Sequence, residues 1–226
     1  MTQRLTDLQI AAAACRAGAD IAAQHFRNTV AENKTPDADY DPVTPGDRGA
    51  ERAVRDVLQD HCPDDAIFGE EFGRSHSANG REWIIDPIDG TRAFVSGVPT
   101  WGTLVGLTIA GSHAIGAACQ PITGDMFVSD GTTSWLGDTV IKTRSVAKIS
   151  ELRIATTAMD LLDAPLQAPF MDLSRQVAIT RYGLDWYHYA LLAAGGFDAV
   201  IECGLQPYDI AALIPIIRGA DGIITD

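Results

Sequence analysis

Between Ala66 and Trp135 the chain runs as a succession of short β-rich stretches: Ile67-Phe68, Trp83-Ile84-Ile85, and residues 103–110, 114–118 and 126–129. Ala110-Gly111-Ser112-His113 reads as a hairpin turn between two of them, so that pair is antiparallel. The flanks have another rhythm. Thr6-Asp7-Leu8-Gln9 has capping-box spacing, and the alanine-rich stretch behind it predicts a helix reaching Phe26, broken by Asn28-Thr29. A polar loop is expected from Ala31 to Asp41. Thr44-Pro45 then opens a second helix with Thr as N-cap and Pro at its first position. Ala50, Ala53, Val54, Val57 and Leu58 recur at helical spacing and give it one buried face. Farther on, strands expected near residues 153–156, 177–180, 199–202 and 223–225 alternate with helices over 185–194 and 208–218. The expected organisation is α+β over residues 1–148 and α/β over residues 149–226, with no internal repeat.

At 226 residues the chain makes one generous domain or two small ones, burying roughly 70% of its unfolded surface. Hydrophobic residues at 46% and charged residues at 21% exclude a disordered, collagen-like or coiled-coil chain. Thirty acidic residues against 17 basic ones leave a net charge of −13, a field that repels nucleic acid and anionic lipid head groups. Cys15, Cys62, Cys119 and Cys203 form no CxxC pair, which argues against a disulfide framework or structural zinc and fits a reducing, cytoplasmic setting. The first residues lack a leucine-rich signal core and no run of 18 apolar residues occurs, so neither export nor membrane spanning is expected.

Chemistry concentrates in Trp83-Ile84-Ile85-Asp86-Pro87-Ile88-Asp89-Gly90-Thr91, an apolar strand ending in two carboxylates. Pro87 restricts the backbone between them, so Asp86 and Asp89 can face one point together with the Ile88 carbonyl. The Gly90 and Thr91 amides, if a helix starts there, are donors for an anion. Oxygen donors of this kind suit a hard cation such as Mg²⁺, which completes its shell with water and substrate phosphate. An Asx-turn with Asp capping a helix is the plainer account of the same residues. Two further stretches, Gly69-Glu70-Glu71 and Pro207-Tyr208-Asp209, also have plain explanations, as a solvated acidic turn and a partner for a helix dipole.

Taken together, Gly69-Glu70-Glu71, the run Trp-Ile-Ile-Asp-Pro-Ile-Asp-Gly-Thr-Arg-Ala-Phe from Trp83 to Phe94, and Glu202 seven residues before Asp209 resemble the inositol monophosphatase superfamily of Mg²⁺-dependent, lithium-sensitive phosphatases. Asn33-Lys34 and the stretch from Asp41 to Asp47, followed by Glu51, are similar to that family's amino-terminal signature, with Pro45-Gly46 an unusual filling. The resemblance implies a layered αβαβα sandwich, as in inositol monophosphatase and fructose-1,6-bisphosphatase, and a homodimer. It implies that Glu70, Asp86 and the Ile88 carbonyl hold one metal and that Asp86, Asp89 and Asp209 hold a second, with two or three Mg²⁺ per site. Thr91 and Asp47 would orient the attacking water, and Glu70 could help activate it; Thr44 and Asp47 also read as a capping-box-like helix start. Family members generally continue through another strand and helix after a Thr-Asp such as Thr225-Asp226, so the α/β half reads as shortened.

The chemistry is consistent with that assignment. Phosphate-monoester hydrolysis asks for rate gains approaching ~10²¹, and paired metals can lower the pKa of a water, neutralise phosphate oxygens and stabilise the departing alkoxide. His25, His61, His76, His113 and His188 show no metal-ligand spacing, and no Ser-His-Asp or Cys-His signature competes. The wording around Thr91–Leu104, Thr180–Asp185 and Glu202–Asp209 is more similar to the histidinol-phosphate phosphatase branch than to the inositol branch, which usually has a small residue at the place of Asp185 and Trp at that of Tyr208. Histidinol phosphate carries an ammonium and an imidazole, so its pocket needs anionic acceptors; Asp185 and Glu202 are the candidates, with Gly90 and Thr91 on the phosphate side. A helix-terminal charge is the other account of Asp185. Trp186 is expected in the core, although it could stack on an imidazole; Arg92 and Arg181 are assigned no role. Alternatives are another small phosphomonoester as substrate, or a silent divalent-cation-binding protein.

Overall fold

The computed structural model describes residues 5–28, 32–33 and 42–225; Lys34, Asp41 and most of the expected polar loop lie outside them. Thr6 and Gln9 form the capping box that starts α1 (Asp7–His25): Thr6 N donates to Gln9 Oε1 at 2.9 Å and Gln9 N to Thr6 Oγ1 at 3.3 Å. Between α1 and the next helix, β1 (Glu32–Asn33) pairs antiparallel with β2 (Pro42–Val43). The second helix, α2 (Pro45–His61), starts at Thr44.

Both helices bury Ile10, Ala14, Val54 and Leu58 against Trp83, Ile85, Val105 and Leu107 on one face of an eight-stranded sheet. Its strands are β3 (Ala66–Gly69), β4 (Gly73–Arg74), β5 (Arg81–Asp89), β6 (Gly102–Ile109), β7 (Ser112–Gln120), β8 (Asp125–Ser129), β9 (Ser134–Leu136) and β10 (Thr139–Ile141). They lie in the order β10-β9-β8-β7-β6-β5-β3-β4. Only β3 with β5 pairs parallel in that sheet. The β6–β7 hairpin turns at Ala110 and Gly111, both at positive φ (50° and 78°), as a two-residue turn matched to strand twist requires.

The other face is covered by α5 (Trp186–Ala193) and α7 (Leu213–Gly219), whose Trp186, Tyr189, Leu213 and Ile216 pack on Leu104, Ala118 and Phe127. Gly106 and Gly116 sit opposite each other in the β6–β7 ladder. A Cβ on Gly116 would lie 2.0 Å from the Ala212 carbonyl oxygen, so the two glycines let α7 settle directly on the sheet backbone. Beyond these helices come a parallel three-stranded sheet, β12 (Ile179–Arg181), β11 (Arg153–Ala155) and β13 (Ala199–Val200), and then α4 (Ala164–Ser174), which buries Phe170 against Ile154. The layers therefore run α, β, α, β, α. No helix among the described residues is long and apolar enough to cross a membrane, and none of the four cysteines is in a disulfide.

Three expectations need correction. Residues 223–225 form no strand: Ile223 is 88% exposed, while Ile224 packs against the α5–α7 cluster. The helix expected over 208–218 is broken into α6 (Pro207–Ile210) and α7. Pro215 has no amide hydrogen and its ring would clash with the carbonyl four residues back, so one continuous α-helical ladder cannot form there. Conversely, no helix is expected over 164–174, yet α4 forms there: Pro165 lies in its first turn, where it is tolerated, and burial of Phe170 holds the rest.

Candidate metal centre

The central strand β5 is buried from Trp83 through Ile88. Its ladder with β6 is regular as far as Asp86 opposite Leu104, then slips, and resumes with Asp89 opposite Gly102. In an unbroken strand residues three apart point to opposite faces. The slip removes that alternation, and side chains hold the displaced backbone: Thr103 Oγ1 donates to the Pro87 carbonyl at 2.7 Å and Ile88 N to Asp86 Oδ1 at 3.1 Å. Asp86 and Asp89 consequently turn toward one point.

Asp209 joins them from α6. Its Oδ2 accepts the Gln206 amide at 2.7 Å, fixing the short helix at its start. The neighbouring Tyr208 ring stands 6.0 Å from that of Phe68 on β3, which ties α6 to the strand leading into Glu70. One oxygen each from Asp86, Asp89 and Asp209 lie within 4.8 Å of one another, a group able to hold a metal ion.

The electrostatics show how unfavourable this gathering is without a cation. Burial pushes the Asp86 carboxyl well above its ordinary range, and Glu70, Asp89, Asp209 and Asp47 push it further. Burial does the same to Asp89, with Asp209, Asp185 and Glu202 adding to it. Asp209 is raised to about 6 by burial and by Glu202. Glu70 is thus a close electrostatic neighbour of Asp86, although it is outside the tight trio. An all-oxygen, multiply anionic donor set of this kind fits a hard divalent cation.

The remaining expected residues fall around this centre. Gly90 takes φ +85°, ψ +39° at the start of α3 (Thr91–Val95), a left-handed conformation that favours glycine. A Cβ there would also lie 3.1 Å from Asp185 Oδ2. Thr91 Oγ1 donates to the Ile88 carbonyl at 3.0 Å. Asp47 is buried at the start of α2, where its Oδ2 accepts from Thr44 N and Thr44 Oγ1, each at 2.7 Å. Capping and proximity to Asp86 therefore coexist at Asp47. Burial raises its carboxyl, while the Thr44 bonds lower it.

Asp185 precedes α5 but its side chain does not cap that helix; it sits at φ +49° with its carboxylate turned toward Gly90. The amide of Trp186 donates instead to Asp89 Oδ1 at 3.1 Å, so the α5 terminus orients a carboxylate of the centre. Trp186 itself is 1% exposed and meets Phe127 edge-to-face in the core. Asp185 is raised to about 6 by burial and by Glu202, with Arg92 pulling the other way. Glu202 accepts from Thr157 N at 2.8 Å, from the Thr157 hydroxyl and from the Tyr189 hydroxyl at 3.0 Å. Asp89, Asp209, Asp185 and Glu202 line one cavity of about 220 Å³ together with Thr157 and Tyr189. Sequence reasoning missed those last two, because a lone Thr and a core-facing Tyr carry no local signal. A larger cleft of about 720 Å³ between α7 and the small sheet shares Glu202 and Tyr189 but not the aspartate trio.

Comparison with known proteins decides the lineage. Residues 1–226 match the inositol monophosphatase family. The chain belongs to that family. It is 40% identical over 192 residues to the bifunctional phosphatase IMPL2, chloroplastic, of Arabidopsis thaliana, a match covering 83% of this chain but only 55% of that protein. It is 35% identical over 190 residues to a histidinol-phosphatase of Chlorobaculum parvum, covering 83% of this chain and 73% of the relative. Among solved structures, an inositol monophosphatase from Zymomonas mobilis superposes with a TM-score of 0.84 at 38% identity, over 97% of this chain and 85% of the other.

Proposed function

We propose that the protein is a Mg²⁺-dependent phosphomonoesterase that hydrolyses L-histidinol phosphate to L-histidinol and phosphate. The observation that carries the reading is the juxtaposition of the Asp86, Asp89 and Asp209 oxygens with a cavity whose wall bears two more carboxylates, Asp185 and Glu202. Glu70, Asp86 and the Ile88 carbonyl would hold one Mg²⁺, and Asp86, Asp89 and Asp209 a second. When bound, such ions lower the pKa of a water and neutralise the phosphate oxygens and the departing alkoxide. Thr91 and Asp47 would orient the attacking water, and the Glu70 carboxylate would take its proton. Water oxygen bonds to phosphorus, the ester P–O bond breaks, and the leaving alkoxide gains a proton to become the alcohol of histidinol.

Substrate choice rests on charge. Repulsion from Glu202 adds to the cost of ionising Asp185, and Arg92 offsets part of it. A ligand bringing an ammonium or an imidazolium relieves that repulsion, whereas neutral hydroxyls of an inositol leave it in place. The names carried by relatives fit either substrate: one is called a histidinol-phosphatase, and the Zymomonas structure an inositol monophosphatase. The net charge of −13 agrees with a small-molecule substrate rather than nucleic acid or a membrane surface. A homodimer in the cytoplasm belongs to the same reading, and sedimentation velocity tests the dimer.

Phosphate release from histidinol phosphate and from inositol 1-phosphate, each with Mg²⁺ and with EDTA, decides between the alternatives. Release from the first, abolished by EDTA, is expected. Preference for inositol phosphate overturns the specificity, and release that persists in EDTA overturns the metal reading.

A further inference from the structure

Glu51 is fully buried on α2, one helical turn beyond Asp47, and is more than a core-filling charge. Its Oε2 accepts the Glu71 amide at 2.6 Å; its Oε1 accepts the Phe72 amide at 3.3 Å and Arg55 Nε at 2.7 Å. Arg55 in turn donates from its terminal nitrogen to the Gly73 carbonyl at 2.6 Å. Gly69 completes the grip: a Cβ there would lie 2.0 Å from Glu51 Oε1, so the carboxylate is in contact with the bare backbone on the other side of Glu70. The Glu51–Arg55 pair thus bonds residues 71, 72 and 73 and lies against Gly69, so it brackets Glu70, whose charge acts on Asp86.

We infer that Glu51 is a positioning residue for the metal centre, which fixes the turn around Glu70 so that the Glu70 carboxylate meets the divalent cation beside Asp86. The inference rests on the reading of Glu70 as a metal ligand and extends it to a residue that touches neither metal nor substrate. The backbone amides alone would leave the turn free to rotate about residues 70 and 71; a buried, doubly anchored carboxylate removes that freedom before the cation arrives. Glutamine cannot replace it, because three donors converge on the two oxygens and the amide nitrogen of glutamine would face one of them. Groups that orient a metal ligand from behind typically change metal affinity or activity 10–100-fold when altered.

The test uses the full chain and Mg²⁺ alone as probe, with Glu51→Gln, Glu70→Gln and the double variant, each shown folded by circular dichroism. The Mg²⁺ Kd is measured by isothermal titration calorimetry, and phosphomonoester kcat and KM are taken at saturating Mg²⁺. Glu51→Gln is expected to raise the Mg²⁺ Kd about 10–100-fold with KM changed less than about 3-fold. The double variant should bind Mg²⁺ within about 2-fold of Glu70→Gln, because the two substitutions remove one shared interaction. A wild-type Mg²⁺ Kd in Glu51→Gln while Glu70→Gln binds weakly overturns the positioning role alone, as does a double variant whose loss is the product of the singles. A wild-type Kd in Glu70→Gln overturns the ligand reading and this inference with it. Should Glu51→Gln fail to fold, Arg55→Lys serves: it leaves Glu51 in place, cannot reach Glu51 and Gly73 together, and should raise the Mg²⁺ Kd by a smaller factor; an unchanged Kd there counts against the clamp.

Discussion

Replacing Asp209 by Asn should stabilise the metal-free protein while destroying its activity. The side chain keeps its shape, and the retained oxygen still accepts the Gln206 amide that starts α6. What disappears is one of the anions packed against Asp86 and Asp89. Asp209 has a folded-state pKa of about 6 against an ordinary 3.8. Because the folded value is the higher one, its charge opposes folding at every pH above about 6, and the penalty fades as pH falls through 6 toward 3.8. The full gap corresponds to about 3 kcal/mol; partial exposure of the group and solvent screening reduce this to roughly 1–2 kcal/mol. For a chain of this size that is a Tm increase of about 2–8 °C. Thermal unfolding followed by circular dichroism in EDTA at pH 8 measures it, and the same comparison at pH 4.5 should show a smaller gap. Added Mg²⁺ should raise the Tm of the wild type much more than that of Asp209→Asn. A metal-free Tm for Asp209→Asn that is unchanged or lower at pH 8 would falsify the picture of carboxylates held together against their repulsion.

Substrate recognition is probed by Asp185→Asn, which tolerates the positive φ at that position. KM for histidinol phosphate should rise about 10-fold or more, with p-nitrophenyl phosphate nearly unaffected; equal losses on both substrates would contradict a recognition role. Gly116→Ala drives a Cβ to 2.0 Å from the Ala212 carbonyl oxygen, so stability should drop by about 3 kcal/mol, and a Tm within 2 °C of wild type would show that α7 does not sit where described. His188 is buried beside Phe197, with neither ring nitrogen hydrogen-bonded to any of the described residues, and burial and then Arg181 lower its pKa from 6.5 to about 4. Its unfolded state therefore takes up a proton first, so stability falls as pH drops from 6.5 to 4, by up to about 3 kcal/mol. In denaturant titrations His188→Phe should gain on the wild type over that window; a constant difference from pH 7 to pH 4 would refute the assignment.

Local chemistry is what could be read directly from the chain. The Thr6–Gln9 and Thr44–Asp47 helix starts, the Ala110-Gly111 hairpin and the abrupt end of β5 in Asp86, Pro87 and Asp89 are each written within a few residues, because capping, turn geometry and the restriction imposed by proline act over that distance. Family wording added the list of carboxylates. Other features depend on what comes to lie alongside. The ladder slip that turns Asp86 and Asp89 to one side is completed by Thr103 on β6, and the Asp89 carboxylate receives the Trp186 amide from 97 residues away. Helix α4 has no local signal because burying Phe170 against a strand stabilises it, and residues 223–225 look like a strand yet pair with none. The sequence by itself settled where the carboxylates lie along the chain, the helix starts at Thr6 and Thr44 and the hairpin turn at Ala110-Gly111. Only the tertiary structure decided that Asp209 meets Asp86 and Asp89, that Glu202 is held by Thr157 and Tyr189, and that Glu51 reaches around Glu70. Repulsion between like charges is overcome by packing elsewhere in the fold, and no local propensity records where that packing will force them together.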